Sequence, residues 1–211
     1  MAEPRRKRAN GEASRERILD AATEIAGERG YEGTSINLVS QRSGLPASSI
    51  YWHFKDKDEL VAAVIDRSFT RWIAALDAPM AVPDDATPER LFHLMLQRTG
   101  AAVADFPDFL RLGLLLLLER RPEEPTARAK FLEVRQLTAD RIRVAYGRFF
   151  PTLSAADIDT LVTLTLALAD GLFVASEVDT LDLPGAFDLM ATTILATADQ
   201  LATDGERHGS R

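Results

Sequence analysis

GTSINLVSQRSGLPASSIYWHFKDKDEL, residues 33–60, is the stretch that decides the fold. Ile36 and Val39 stand three apart, as on one face of a short helix, and Ile50 and Phe54 recur four apart on a second. Between them Gly44 permits a sharp turn and Leu45 plugs it, while Ser40 and Ser43 are small where the two helices approach. The two helices therefore share one small core. Ala47, Ser48, Ser49, Trp52 and His53 are left on the outward side, which in a helix-turn-helix faces the major groove. Asp56, followed three residues later by Glu59, reads as a capping box opening a further helix, with Lys57 in its first turn. A helix start carrying a lysine suits a phosphate, so the pattern implies a DNA-binding unit.

Thr34, Gly44, Tyr51, His53, Phe54, Lys57 and Leu60 stand where a known pattern of Thr, turn Gly, Tyr-x-His-Phe and Lys-x-x-Leu places them. On these residues the stretch resembles the DNA-binding segment of the tetracycline-repressor (TetR) family of bacterial transcription regulators. With Ser14 to Gly30 in front, the resemblance covers about the first quarter of the chain. Leu38 takes a place that is usually polar, Ser40 and Ser43 replace usual alanines, and Pro46 replaces the usual capping Ser. Proline is tolerated at a first helical position, where its missing N–H is not needed, so the second helix can start there. The resemblance implies that Tyr51 and His53 hydrogen-bond the DNA backbone with their polar tips while their rings buttress the fold. It also implies that Thr34, placed to cap its helix, reaches a phosphate as well; the alternative is a cap alone.

The helix in front is expected from Ser14 to Arg29, with Ser14 as cap, Glu16 in the first turn and Gly30 as stop. Ile18, Ala22, Ile25 and Ala26 form its apolar face. Ahead of it, Arg5, Arg6, Lys7 and Arg8 make a basic arm over residues 1–13, expected to be disordered. Such an arm either lies along DNA phosphates or is a solvated tail. The formal net charge of −7 does not conflict with DNA binding. Residues 1–60 hold ten Lys/Arg and ten Asp/Glu, so all the acidic excess lies downstream. The recognition helix offers Ala47, Ser48 and Ser49 and no Arg, Asn or Gln for bidentate base contacts. Specificity is then distributed, with Ser35, Asn37 and Trp52 adding contacts and DNA shape contributing the rest.

Downstream, Val61, Ile65, Phe69, Trp72 and Leu76 continue a helical stripe that leaves the DNA-binding unit as one long helix. Three prolines and two aspartates between Pro79 and Pro88 predict a loop, after which Thr87 caps a helix beginning at Pro88. Pro107, the 120–125 segment, Pro151 and Pro184 divide the rest into helix-sized pieces, and no alternating strand pattern appears. The fold class is all-α: a three-helix DNA-binding domain over 14–60, a helical bundle of about five helices over 61–203, and a polar tail, 204–211, expected to be disordered. The helix from Ser154, with Asp157 completing a capping box, is apolar almost all round and must be buried on two sides. After Pro184, Phe187, Met190, Ile194, Ala198 and Leu201 form one stripe, and Leu189, Thr193 and Ala196 another. Either these two helices are central in a monomer or they pair with a second copy. The resemblance implies the latter, as a four-helix bundle across a two-fold axis.

A sensor pocket is expected among the middle helices, lined by Trp72, Phe92, Phe106, Phe109, Phe131 and Phe173 and taking a small, mainly apolar effector. Each of these aromatics is equally readable as ordinary core. Asp170, inside the apolar run 167–174, needs a partner, either another helix or the effector. Enzyme readings find no support: His53, His93 and His208 are the only histidines and form no cluster for a metal or a triad. No Gly-rich phosphate loop and no cofactor motif appear. The absence of cysteine excludes disulfides and thiolate sites and fits a cytoplasmic location. The longest apolar run, Leu112 to Leu118, is far shorter than the roughly 20 residues of a membrane span. The reading is a homodimeric, ligand-responsive regulator, a repressor by the resemblance, bound to a palindromic operator. The alternative is a dimeric helical interaction protein whose helix-turn-helix is vestigial.

Overall fold

The computed structural model describes residues 3–118 and 126–209, and the described residues form nine helices and no strand. These are α1 (Glu3–Gly33), α2 (Ile36–Ser43), α3 (Ala47–His53), α4 (Lys57–Asp77) and α5 (Pro88–Asp105), followed by α6 (Asp108–Leu118), α7 (Thr126–Phe149), α8 (Ala155–Val178) and α9 (Leu183–Gly209). The expected break at 120–125 and the side chains of Arg5, Arg6, Lys7 and Arg8 lie outside the described residues. Two compact units result: Met1–Arg71 with Pro107–Val134, and Trp72–Phe106 with Arg135–Arg211.

In the first unit, Ile18, Leu19, Ala22 and Ile25 of α1 are buried with Val39, Ile50, Leu60, Val61 and Ile65, so the apolar faces read from the sequence do meet. α1 also packs against α6. Gly113 of α6 is required where it stands, because an added Cβ would lie 2.0 Å from the Phe131 ring. Three local expectations are corrected. First, α1 begins at Glu3, so most of the arm is helical and Ser14 is an interior residue whose Oγ donates to the Gly11 carbonyl. Pro4 is harmless in a first turn, and Arg, Lys, Ala and Glu carry the helix through Asn10 and Gly11. Gly30, at φ 68°, does break the helical path as expected. Second, α2 is capped by Ser35, whose side chain accepts from the Leu38 N–H, and not by Thr34. Thr34 is buried and donates its hydroxyl proton to the Gly30 carbonyl at 2.8 Å. Third, Pro46 sits one position ahead of helix α3, in extended geometry, where a missing N–H is equally harmless.

In the second unit α9 packs against both α5 and α8. Gly100 of α5 permits the close approach: a Cβ there would fall 2.7 Å from the Leu183 carbonyl oxygen and 2.9 Å from Phe187. Thr87 caps α5 and Pro88 follows it, and Ser154 and Asp157 form the reciprocal capping box of α8, both as the sequence predicts. α9 continues to Gly209, so the tail expected at 204–211 is helical through that point, with Asp204 and Arg207 paired one turn apart at 3.6 Å. By length and composition α8 could cross a membrane. It packs on α9, and its Asp170 carboxylate takes two bonds from Arg135 at 3.0 and 2.6 Å, but most of its apolar surface lies outside the chain's own core. On α9 the two stripes part: Phe187, Met190, Ile194 and Ala198 are core, whereas Leu189, Thr193 and Ala196 are exposed.

Candidate nucleic-acid interface

α3 is held against α1 by contacts that the sequence pattern does not announce. His53 Nε2 lies 2.7 Å from Ser14 Oγ, 39 residues away in sequence. Since the Ser14 hydroxyl spends its one proton on Gly11, the His53 Nε2–H is the donor in this pair. Burial, helped by the charge of Arg15, pushes the His53 imidazole below its ordinary pKa and so favours the neutral ring. Arg15 in turn stacks over the Phe54 ring at 5.4 Å. At the turn, Ser40 Oγ donates to the Leu45 carbonyl, and Arg17 reaches over to the Ser43 carbonyl at 2.7 Å. Gly44 takes the left-handed conformation, φ 66°, that the turn demands.

What α3 presents outward is Ser48, Tyr51 and Trp52, the two aromatic rings 57% and 75% exposed, with Ala47 and Ser49 half-exposed beside them. From α2, Asn37 is exposed and Ser35 half-exposed. No Asp or Glu occurs between Glu32 and Asp56, so α2 and α3 themselves carry no acid that would repel a polyanion. A shallow depression of about 320 Å³ opens here, lined by Ser14, Ser48, Ser49, Trp52 and His53.

Beside α3, the start of α4 grips the end of α1. Tyr31 is sandwiched: Lys57 Nζ lies 4.2 Å from its ring centroid and donates to its carbonyl at 3.3 Å, while its hydroxyl donates to Asp58 at 3.0 Å. Glu32 lies 3.6 Å from the same ammonium. Asp56 accepts from the Glu59 N–H at 2.9 Å, and Glu59 reaches back to the Lys55 N–H at 2.7 Å, one residue beyond the position a capping box requires. Asp58 is the residue that sequence reasoning missed. Its carboxylate also accepts from the N–H groups of Thr126 and Ala127, so it caps α7 from 68 residues away, and local spacing cannot signal such a pairing. Asp58→Ala is expected to cost about 1–2 kcal/mol, read as a lower urea midpoint; an unchanged midpoint would show that the cap contributes nothing in solution.

The expected ligand-lining aromatics fall in both units: Phe109 and Phe131 are buried in the first, Trp72, Phe92 and Phe173 in the second, which also holds the half-buried Phe106. Among the described residues no group of His, Cys, Asp or Glu is arranged to hold a metal ion.

Residues 18–64, from mid-α1 into α4, match the family model of the bacterial regulatory proteins of the tetR family. Residues 18–64 are thus similar to the DNA-binding segment of that family. It is 32% identical over 71 residues to an HTH-type transcriptional repressor of Mycobacterium tuberculosis, a match covering 34% of this chain and 27% of that protein. To the HTH-type transcriptional repressor KstR of the same organism it is 30% identical over 93 residues, 44% of this chain and 41% of KstR. The chain thus spans less than half of either relative. A transcriptional regulator from Aquifex aeolicus, 22% identical, superposes with a TM-score of 0.65 over 87% of this chain and 98% of its own. The last likeness shows that the two chains share a fold through the helices beyond the matched segment. The relatives named are regulators of transcription.

Proposed function

We propose that this chain is a TetR-family regulator: a homodimeric, ligand-responsive repressor that binds a palindromic operator and resides in the cytoplasm. The observation that carries the DNA-binding reading is the acid-free outward face of α3, with Tyr51 and Trp52 exposed next to Lys57 at the start of α4. Ser35, Asn37, Ala47, Ser48, Ser49, Tyr51, Trp52 and Lys57 are the residues positioned to touch DNA. Thr34 and His53 act from behind that surface. The Thr34 hydroxyl proton is committed to Gly30, and the His53 Nε2–H to Ser14, so both hold the reader in shape. In domain terms, 14–60 reads DNA, and 61–203 senses and pairs. Enrichment of one inverted-repeat sequence from randomised duplexes, confirmed by gel shift, tests this reading. Uniform weak binding to every duplex would instead favour a helical interaction protein with a vestigial reader.

The effector is small and mainly apolar, taken up by residues from the set Trp72, Phe92, Phe106, Phe109, Phe131 and Phe173. Arg135 already neutralises Asp170, so a ligand without a cation suits this environment. A tenfold change in operator affinity needs only about 1.4 kcal/mol of differential binding between two states, which one apolar molecule supplies. A panel of lipophilic compounds is expected to contain members that raise the melting temperature and release DNA together. If none does either, the sensor reading fails.

A further inference from the structure

The depression beside α3 carries a chemistry that narrows what the operator must contain. Ser48 and Ser49 precede Trp52 by four and three residues, so they lie on one helical face with it, and the three side chains share the depression with Ser14 and His53. The five residues that line it include no Lys or Arg, and Arg15, whose charge reaches His53, is stacked over the Phe54 ring and is not among them, so the surface a base meets bears no fixed charge. It also carries no amide or guanidinium, so it cannot make the bidentate pairs that select guanine or adenine. What it does offer is a large apolar ring beside hydroxyls. The ring is braced in place: His53 stands edge-on to the Trp52 ring at 4.5 Å and 84°, and the far edge of the indole lies against Gly11 of α1, where a Cβ would sit 3.6 Å from it. A 75%-exposed indole so fixed loses little side-chain freedom on meeting a partner. Among base-pair edges in the major groove, thymine alone presents a methyl group beside a carbonyl acceptor.

We infer that Trp52 is a specificity-determining residue that packs on the 5-methyl group of an operator thymine, with Ser48 or Ser49 donating to that base's O4. The inference rests on the DNA-binding reading above. It deepens that reading by naming the base and the atom recognised.

The test uses the full chain and an operator selected from randomised duplexes, in which each thymine of a half-site is replaced in turn by deoxyuridine, removing one methyl and nothing else. One or two positions are expected to weaken binding about fourfold each, the effect of exposing one methyl group. Trp52→Ala should bind more weakly and lose that response at the same positions, while its circular dichroism stays native because the ring is exposed. Thymine-free half-sites, deoxyuridine substitutions that are all silent, or a methyl response undiminished in Trp52→Ala would each overturn the assignment while leaving DNA binding intact. Equal weakening of Trp52→Ala on every duplex would overturn it in favour of a backbone contact through the indole N–H. Failure to enrich any sequence would remove the underlying DNA-binding reading itself, and the assignment with it.

Discussion

Replacing Val174 and Leu189 together by glutamate is expected to leave each chain folded and to stop two chains from pairing. Both side chains are exposed in the single chain, at 53% and 69%, so the carboxylates stay hydrated and the monomer changes by no more than about 0.5 kcal/mol each. They belong to an outward face on which α8 exposes Thr163, Ala167, Gly171, Val174 and Val178, and α9 exposes Leu189, Thr193 and Ala196. That face is small-sided and apolar, and an added Cβ at Gly171 would meet nothing within 4 Å, so a second copy's helices can come close. In a symmetric pair each substitution occurs twice, so four carboxylates would be buried with no cation on the face to receive them. Sedimentation should report the 23.2 kDa chain in place of twice that mass. Operator affinity should fall on the order of 100-fold, because each reader then binds its half-site alone. An unmodified protein that already sediments as a monomer at micromolar concentration would end the proposal.

That experiment also marks where the sequence stops being legible. Periodicity finds two stripes on α9 but cannot tell which one the chain's own core buries and which one stays exposed. Met190 and Ile194 read as equally good interface residues, yet both are buried within their own chain, where a glutamate would unfold it. The helix-turn-helix was readable because its signals are local: apolar spacings of three and four, a left-handed glycine, a serine, threonine or aspartate before a helix. Even there, choosing between neighbouring hydroxyls failed at Thr34 and Ser35, since only burial tells which one turns inward. Long-range pairs were not readable at all. Nothing near Ser14 foretells His53, and nothing near Asp58 foretells the start of α7. Asp170 was the intermediate case: a charge in an apolar run demands a partner, but only the fold names Arg135.

Lys57→Ala is expected to weaken binding to all DNA sequences alike, by about tenfold or more per subunit, the worth of one charge-assisted hydrogen bond to phosphate. The plot of log affinity against log salt should flatten by about 1 per subunit, because one fewer phosphate is neutralised and one fewer counterion released. The geometry around this lysine supports such a role. Its ammonium rests on the Tyr31 ring, tied to the Tyr31 carbonyl, at the first residue of α4, where the positive end of the helix dipole adds to its charge. The side chain is thus ordered before DNA arrives. Losing those internal ties costs the fold about 0.5–1 kcal/mol, too little to change the folded fraction in a binding assay. Glu32→Gln, which removes the carboxylate 3.6 Å from the ammonium, should act in the opposite direction and strengthen binding. The salt slope separates the two roles the geometry allows: a lysine that only fastens Tyr31 leaves the slope untouched when removed. A Lys57→Ala protein with an unchanged slope and an altered preference among operators would show that this residue does not bind phosphate.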